Sequence, residues 1–190
     1  ALSTGTPTAG MAGYRLSDAF GEVPGVTQVD PVGVADDGTV AGNYVFQGQS
    51  RGFRARPGQP FEELYAADAT RIEIDAVAPN CIIAGHIATI GAADADGWTG
   101  SWTPDEEGNL GEFRRLLSSP SGATFRPEVR DVNSRGDVLL QHAVLHPDGS
   151  QTLLAHPRPG GTNPEVWAND IDDAGRVVGP SNWVEFNAEV

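Results

Sequence analysis

The sequence contains no lysine, only one cysteine, no long apolar run and no stretch with the spacing of an amphipathic helix. All 12 basic residues are arginine, and they face 26 acidic residues, so the net charge is −14. A negative field of this size repels phosphate backbones and anionic headgroups, which disfavours nucleic acid as a partner. Membrane insertion is disfavoured too, because no apolar run approaches the ~18 residues that a spanning helix needs.

The single cysteine, Cys81, excludes an intrachain disulfide and a cysteine-based zinc cluster. We interpret it as a partly buried turn thiol rather than a nucleophile. In place of helical signals the chain has 24 glycines and 14 prolines, a content typical of many turns that join short strands. The lead "ALSTGTPTAG" is typical of a processed, exported protein and equally of a shortened one. We therefore expect an extracellular location.

Four segments of eleven residues align without gaps and define units 1 to 4. They are residues 32–42 (VGVADDGTVAG), 75–85 (DAVAPNCIIAG), 130–140 (RDVNSRGDVLL) and 169–179 (NDIDDAGRVVG). Position 3 is always Val or Ile, position 9 is always β-branched, and position 7 is Gly in all units except for Cys81. Glycine at position 7 permits the positive φ that a hairpin turn needs, so each unit predicts a β-hairpin.

Each of the first three hairpins is followed by two more strand signals. An aromatic or apolar strand ends in a second turn, and a short strand with a leucine follows, as in "GFRARPGQP" and then "FEELY". Four-stranded units that recur every 39 to 55 residues suggest the blades of a β-propeller. The fourth unit is short, and residues 11–20 (MAGYRLSDAF) have the alternation of its missing outer strand.

We therefore predict an all-β fold, a four-bladed β-propeller closed by pairing of an N-terminal strand with the last blade. Residues 1–190 form one domain, with blades at about 27–66, 73–117, 127–155 and 165–190 plus 11–20. Closure would remove an exposed sheet edge. The alternative is a β-sandwich of about a dozen short strands, which would not require an eleven-residue unit to recur.

The pattern apolar-x-Asp/Asn-x-x-Gly-x-apolar-x-Gly, followed by an aromatic strand and a Pro-Asp-Gly-like turn, resembles the bacterial extracellular HAF repeat. The best copy is "VGVADDGTVAG…GFRARPGQPFEEL", and the resemblance extends over most of residues 27–190 in four imperfect copies. Cys81 and Leu140 depart from it, since glycine is expected at both. The resemblance implies an exported, propeller-like domain and implies no reaction.

Two sets of carboxylates are candidate cation ligands. Asp94 and Asp96 lie in "AADADGWTG", where alternate oxygens could approach calcium. Asp75, Asp131 and Asp170 lie at the start of the first strand of three blades, which in a propeller lines the central channel. Converging carboxylates there could hold calcium or another cation, or they could pair with arginines or water. Asp94 and Asp96 could equally belong to a solvated loop.

Aromatic side chains on loops are the candidate ligand contacts. We expect Trp98 beside the long acidic loop, Trp183 after the last hairpin and Tyr44 at the related place in the first unit. Such rings present flat apolar area at low entropic cost, which suits binding of a sugar or a peptide. Trp102 and Phe53 fall in third strands and are predicted to pack between blades. The insertion at about 86–100 is the expected specificity loop.

The leading functional hypothesis is a secreted, acidic, non-catalytic binding module for a protein or glycan partner. It rests on a repeated scaffold without any recognisable catalytic motif. A hydrolase or lyase with a site at the channel mouth, built from Asp75, Asp131 and His142, is the second hypothesis. A structural module for assembly is the third. The sequence does not indicate the oligomeric state.

Residues 135–137 form the tripeptide Arg-Gly-Asp, a cell-adhesion signal in other proteins. In the alignment it occupies positions 6 to 8 of unit 3, so Gly136 is required by the hairpin turn whatever surrounds it. We interpret the tripeptide as a copy of a structural turn, exposed at the surface.

Overall fold

The computed structural model describes residues 25–89, 97–119, 128–154 and 165–182. These residues form strands and turns without a helix, and every strand pairing among them is antiparallel. The described part accordingly has no helix that could cross a membrane. The all-β prediction is confirmed, and the strands fall into four successive sheets.

Sheets 1 to 3 each have four strands paired in chain order. Sheet 1 contains β1 (Val26–Val34), β2 (Val40–Phe46), β3 (Gln49–Ala55) and β4 (Glu62–Glu63). Sheet 2 contains β5 (Ala69–Val77), β6 (Ile83–Thr89), β7 (Gly97–Trp102) and β8 (Arg114–Ser119). Sheet 3 contains β9 (Val129–Val132), β10 (Val138–Leu140), β11 (Ala143–Leu145) and β12 (Gln151–Leu153). The four-stranded unit expected from the sequence is therefore present in all three.

Sheet 4 is described as one long hairpin. Its first arm contains β13 (Glu165–Val166) and β14 (Asp170–Ile171), and its second contains β15 (Val177–Val178) and β16 (Ser181–Asn182). β14 pairs with β15 next to the turn and β13 pairs with β16 farther from it. The proposed N-terminal closing strand, residues 11–20, lies outside the described residues.

The turns of the four units share one hydrogen-bond pattern. The amide at position 4 donates to the carbonyl at position 8, over 2.8 to 3.2 Å, and the amide at position 7 donates back to the carbonyl at position 4. Position 7 has a positive φ in every unit: Gly38 86°, Cys81 67°, Gly136 84° and Gly175 80°. This pattern defines a three-residue hairpin loop with a bulge at position 7. The positive φ that the sequence predicted is thus present in all four turns, and Cys81 adopts it at a cost in backbone strain.

Successive sheets stack face to face, and a separate apolar cluster fills each gap. Phe113 and Trp102 pack with Ala41 and Leu64 between sheets 1 and 2. A second cluster, with Val132 and Leu145, lies between sheets 2 and 3, and Leu139 and Ile171 belong to a third between sheets 3 and 4. Because β-strand side chains alternate between the two faces, each sheet contributes to the clusters on both of its sides.

Two expectations need correction. The insertion at 86–100 is not one loop, because β6 and β7 remain paired as far as Ala88 and Gly97. Residues 90–96, between those strands in sequence, lie outside the described residues. Asp75 does not begin a first strand, since β5 starts six residues earlier, at Ala69. The extended pairing of a long hairpin explains both differences.

Candidate functional site

The segment 64–68, which links sheet 1 to sheet 2, presents one exposed aromatic ring. Tyr65 is 77% exposed, and its hydroxyl makes no hydrogen bond within the described residues. Its main chain is held in place, because Trp102 Nε1 donates to the Tyr65 carbonyl at 2.8 Å. The Arg115 guanidinium donates to the Ala67 carbonyl at 3.0 Å. A rigid backbone that carries a free ring is suited to contact a ligand without an ordering cost.

Three adjoining cavities surround Tyr65, and together we call them the Tyr65 cleft. The first, of about 330 Å³, lies between sheets 1 and 2 and is lined by Arg54 and Glu112. The second, of about 310 Å³, is bordered by Arg51 and Arg71. The third, of about 260 Å³, includes Arg115. Tyr65 is the residue common to all three.

Paired charges line the walls of the cleft. Arg54 Nε lies 2.6 Å from Glu62, which also accepts Arg56 at 2.6 Å. Burial opposes ionisation of Glu62, but hydrogen bonds from the two guanidinium groups outweigh it and lower its pKa. Arg51 lies 2.7 Å from Glu63. Fixed donors and acceptors thus alternate around a bare aromatic ring.

Trp98 is connected to the cleft through Arg115. The Arg115 guanidinium carbon lies 5.5 Å from the centre of the Trp98 ring, a cation–π distance. Trp98 itself is half-buried at the start of β7, against the cluster between sheets 1 and 2. The predicted contact residue therefore lies at the edge of the cleft, in a strand rather than in a loop.

Tyr44 occupies a different environment from the expected loop. It lies within β2, is buried, and packs edge-to-face against Phe53 at 6.4 Å and Phe61 at 5.6 Å. Its hydroxyl donates to Glu63 at 2.8 Å. Burial and the adjacent Glu63 carboxylate raise the pKa of Tyr44 to about 12. The ring of Tyr44 is thus core, because β2 continues beyond the eleven-residue unit. Asp94, Asp96 and Trp183 lie outside the described residues.

The three carboxylates that the sequence analysis expected at a central channel, Asp75, Asp131 and Asp170, do not form one group. Asp75 lies 2.6 Å from His86 Nδ1. Asp131 accepts the Ile171 amide at 3.0 Å. Burial and the neighbouring Asp170 raise the pKa of Asp131 despite that hydrogen bond. Within the described ranges, no three acidic, histidine or cysteine side chains are placed to hold a metal ion together.

The Arg-Gly-Asp tripeptide is built into the protein interior through its aspartate. The Asp137 side chain is buried and accepts hydrogen bonds from Asn133 at 2.9 Å, Arg135 at 2.6 Å and His146 at 2.8 Å. Burial raises the pKa of Asp137, but these three donors outweigh it and the pKa is lowered. The expected turn is present, whereas the exposed carboxylate is not. An adhesion receptor would need that carboxylate free.

Cys81 matches its interpretation as a turn thiol. It is half-buried, and its Sγ lies 3.3 Å from Asp37 Oδ1. Burial, and then the Asp37 carboxylate, raise the pKa of the thiol, although a hydrogen bond with Thr39 acts in the opposite direction. A raised pKa depletes the thiolate, which is the nucleophilic form.

Tyr65 was missed by the sequence reasoning. Its signal was the last letter of "FEELY", where an aromatic residue follows a leucine that packs inward. Nothing local in the sequence indicates that this ring stands where two sheets meet. Comparisons with protein-family models, with curated proteins and with solved structures find no match for this chain.

Proposed function

We propose that this chain is a non-catalytic binding module that takes a protein or glycan partner at the Tyr65 cleft. The observation that carries the proposal is the exposed Tyr65 ring, set on a fixed backbone among three cavities, with a hydroxyl that makes no hydrogen bond to the described residues. Tyrosine is enriched at binding hot spots because it offers a large rigid contact area and a polar tip.

Of the two partners, a glycan fits the cleft better. The walls carry arginine donors and glutamate acceptors in alternation, as in the Arg51–Glu63 and Arg54–Glu62 pairs. Sugar hydroxyls can share hydrogen bonds with the exposed edges of such ion pairs, whereas an extended apolar peptide segment would remove water from them and offer no hydrogen bond in return. The ring of Tyr65 supplies the flat apolar surface on which a sugar can lie.

The test is binding to a glycan array and, in parallel, capture of proteins from the native surroundings. Tyr65→Ala is expected to weaken binding to the recognised glycan at least tenfold, while Tyr65→Phe separates the ring from its hydroxyl. Leu153→Ala is the matched control, because Leu153 is also exposed but lies on β12 of sheet 3. Equal binding by Tyr65→Ala and Leu153→Ala would exclude the cleft as the site.

The architectural part of the proposal is a propeller-like stack of four blades from an exported protein related to the HAF repeat. It is supported by three four-stranded sheets and one hairpin. In each of the four, the same type of turn joins the two strands of the eleven-residue unit. Closure of the stack into a four-bladed ring remains a prediction. Small-angle scattering would test it, since a ring is more compact than an open stack of the same mass.

A hydrolase or lyase is the second candidate, and one observation favours it. The raised pKa of Asp131 beside Asp170 is typical of paired carboxylates at catalytic sites. An activity screen on polysaccharides and peptides, with Asp131→Asn as the inactive control, decides between the two. Turnover that Asp131→Asn abolishes would replace the binding hypothesis.

A further inference from the structure

The interfaces between units follow one burial rule. At position 10 the side chain faces the following unit and is fully buried, as for Ala41, Ala84 and Leu139. At position 3 the side chain faces the preceding unit. Val132 and Ile171 are buried there, and Val77 is half-buried against sheet 1. Each internal interface therefore joins position 10 of one unit to position 3 of the next.

The two ends of the stack break this rule in complementary ways. Position 3 of unit 1, Val34, is 65% exposed, and position 10 of unit 4, Val178, is 61% exposed. Val32, two residues before Val34 in β1, adds further exposed apolar surface at the first end. Elsewhere in sheet 1 the cluster of Tyr44, Phe53 and Ala55 is buried. The exposed apolar surface of unit 1 therefore lies at the end of β1 next to the turn. Repeat proteins normally cover such ends with polar capping surfaces, whereas here Val34 and Val178 leave an apolar side chain exposed at each end.

Hydrogen bonds between the turns show the same incomplete series. In units 2, 3 and 4 the residue at position 5 accepts a bond from the preceding turn: Asp36 N to Pro79 O at 2.8 Å, Asn80 Nδ2 to Ser134 O at 2.8 Å, and Ser134 N to Asp173 Oδ1 at 2.7 Å. Within the described residues Asp36 accepts no such bond, and the amide of Asp173 donates none. One acceptor thus remains at the first end and one donor at the last.

We propose that the exposed end of unit 4 binds the exposed end of unit 1 in a second copy of this chain. The contact continues the interface that already joins units 1 to 2, 2 to 3 and 3 to 4. A second copy is the occupant to which we commit, because Val34 and Val178 are both exposed within one chain. Closure of a single chain into the predicted ring is the competing arrangement of these ends. The interface is heterologous and therefore generates rings or filaments rather than closed pairs.

Charge complicates this association in a measurable way. Each chain carries −14, so copies repel one another at low salt. In the end turns Asp37 is bonded to Cys81 of unit 2, Asp173 to Ser134 of unit 3 and Asp172 to Arg176. Asp36 is exposed and adds to the repulsion. Screening at high salt should therefore strengthen the association.

The test is sedimentation velocity of the full chain across concentration, in about 20 mM and about 500 mM NaCl, where the Debye length falls several-fold. Wild type is expected to form species larger than a monomer, more so at high salt. Val34→Asp and Val178→Asp should each be monomeric, while Leu153→Asp, an equally exposed control, should associate like wild type. Circular dichroism confirms that the variants fold.

Mixing the two end variants makes the test specific. Val34→Asp retains an intact unit 4 end and Val178→Asp retains an intact unit 1 end, so the mixture should form a 1:1 dimer that grows no further. A wild type that stays monomeric at all concentrations and salts overturns the proposal, and so does association that neither end variant reduces. Monomers in which hydrogen exchange finds both ends protected would indicate ring closure within one chain.

Discussion

At the scale of single residues, Asp137 shows how a sequence motif can have a structural cause. Its carboxylate accepts three side-chain donors inside the turn of unit 3, and His146 is held from the other side by Thr152 at 2.9 Å. The tripeptide Arg-Gly-Asp arises because the turn favours glycine at its seventh position and because the buried Asp137 carboxylate accepts the hydrogen bonds of nearby donors.

Asp137→Asn keeps the shape of the side chain and removes its charge. We expect the free energy of unfolding to fall by about 1–3 kcal/mol, because a buried, hydrogen-bonded charge is lost and its donors are left poorly matched. Urea unfolding measures the change, and Glu106→Gln on an exposed carboxylate is the control. An unchanged unfolding midpoint would mean that the cluster does not stabilise the fold.

The same burial predicts the outcome of an adhesion experiment. The folded protein should not compete with an Arg-Gly-Asp peptide for cells, because Asp137 is committed to Asn133, Arg135 and His146. The heat-unfolded chain should compete, since unfolding frees the carboxylate. Competition by the folded protein that Asp137→Glu removes would refute this interpretation.

The seventh position of the turns allows a paired comparison. Gly136→Ala is expected to lower the free energy of unfolding by about 1–2 kcal/mol, because φ is 84° and an added Cβ would lie 3.3 Å from Pro147. Cys81→Gly should relieve the strain at φ 67°, so it should be neutral or slightly stabilising. The urea midpoint should fall for Gly136→Ala and should stay the same or rise slightly for Cys81→Gly. Destabilisation by Cys81→Gly as large as that by Gly136→Ala would show that the Cys81 thiol, and not backbone strain, dominates at this position.

At the scale of elements, the turns set the acid sensitivity of the protein. Backbone hydrogen bonds within the turns lower the pKa of Asp105 and Asp172, and a side-chain and a backbone bond from Ser150 do the same for Asp148. For Asp37, burial raises the pKa, but hydrogen bonds from Thr39 outweigh it. A lowered folded-state pKa contributes stability above the unfolded-state value of about 3.8 and loses it as the pH falls through the folded-state value.

Stability should therefore decline steeply as the pH drops below about 4. Asp131 contributes in the opposite direction, because its raised pKa stabilises the folded state only at pH values where it is protonated. The several aspartates whose pKa values are lowered outweigh this single contribution. Urea midpoints between pH 2 and 7 measure the profile, and Asp37→Asn should flatten it, whereas Glu106→Gln should not. A midpoint that does not fall on acidification would contradict the prediction.

The elements that could be predicted from the sequence are those with local causes. Alternating apolar residues, with glycine at the seventh position of three units, predicted the hairpins, and all four are found. Phe53 and Trp102 are buried in third strands as expected, but only Trp102 packs between sheets, since Phe53 clusters with residues of sheet 1 alone. Tyr44 was misplaced because the eleven-residue unit ends before β2 does. The Tyr65 cleft and the Asp131–Asp170 pair depend on which sheets meet, which no local pattern encodes.

At the scale of the whole molecule, the stack is nearly one-dimensional, because each sheet packs on its neighbours in the chain. Amide hydrogen exchange should be slowest in β6 of sheet 2, which is covered on both faces. It should be fastest in the β14–β15 hairpin, whose Val178 is exposed. Exchange in the hairpin as slow as in β6 would show a single cooperative unit instead of a stack.

The hydrogen bond from Trp102 to the Tyr65 carbonyl has an optical consequence. Trp102 is buried, lines the largest of the three cavities and holds the segment that carries Tyr65. Indole emission depends on the polarity and hydrogen bonding around the ring. If the proposed sugar binds, Trp102 emission should therefore report occupancy of the Tyr65 cleft without an attached label, once the other three tryptophans are replaced by phenylalanine.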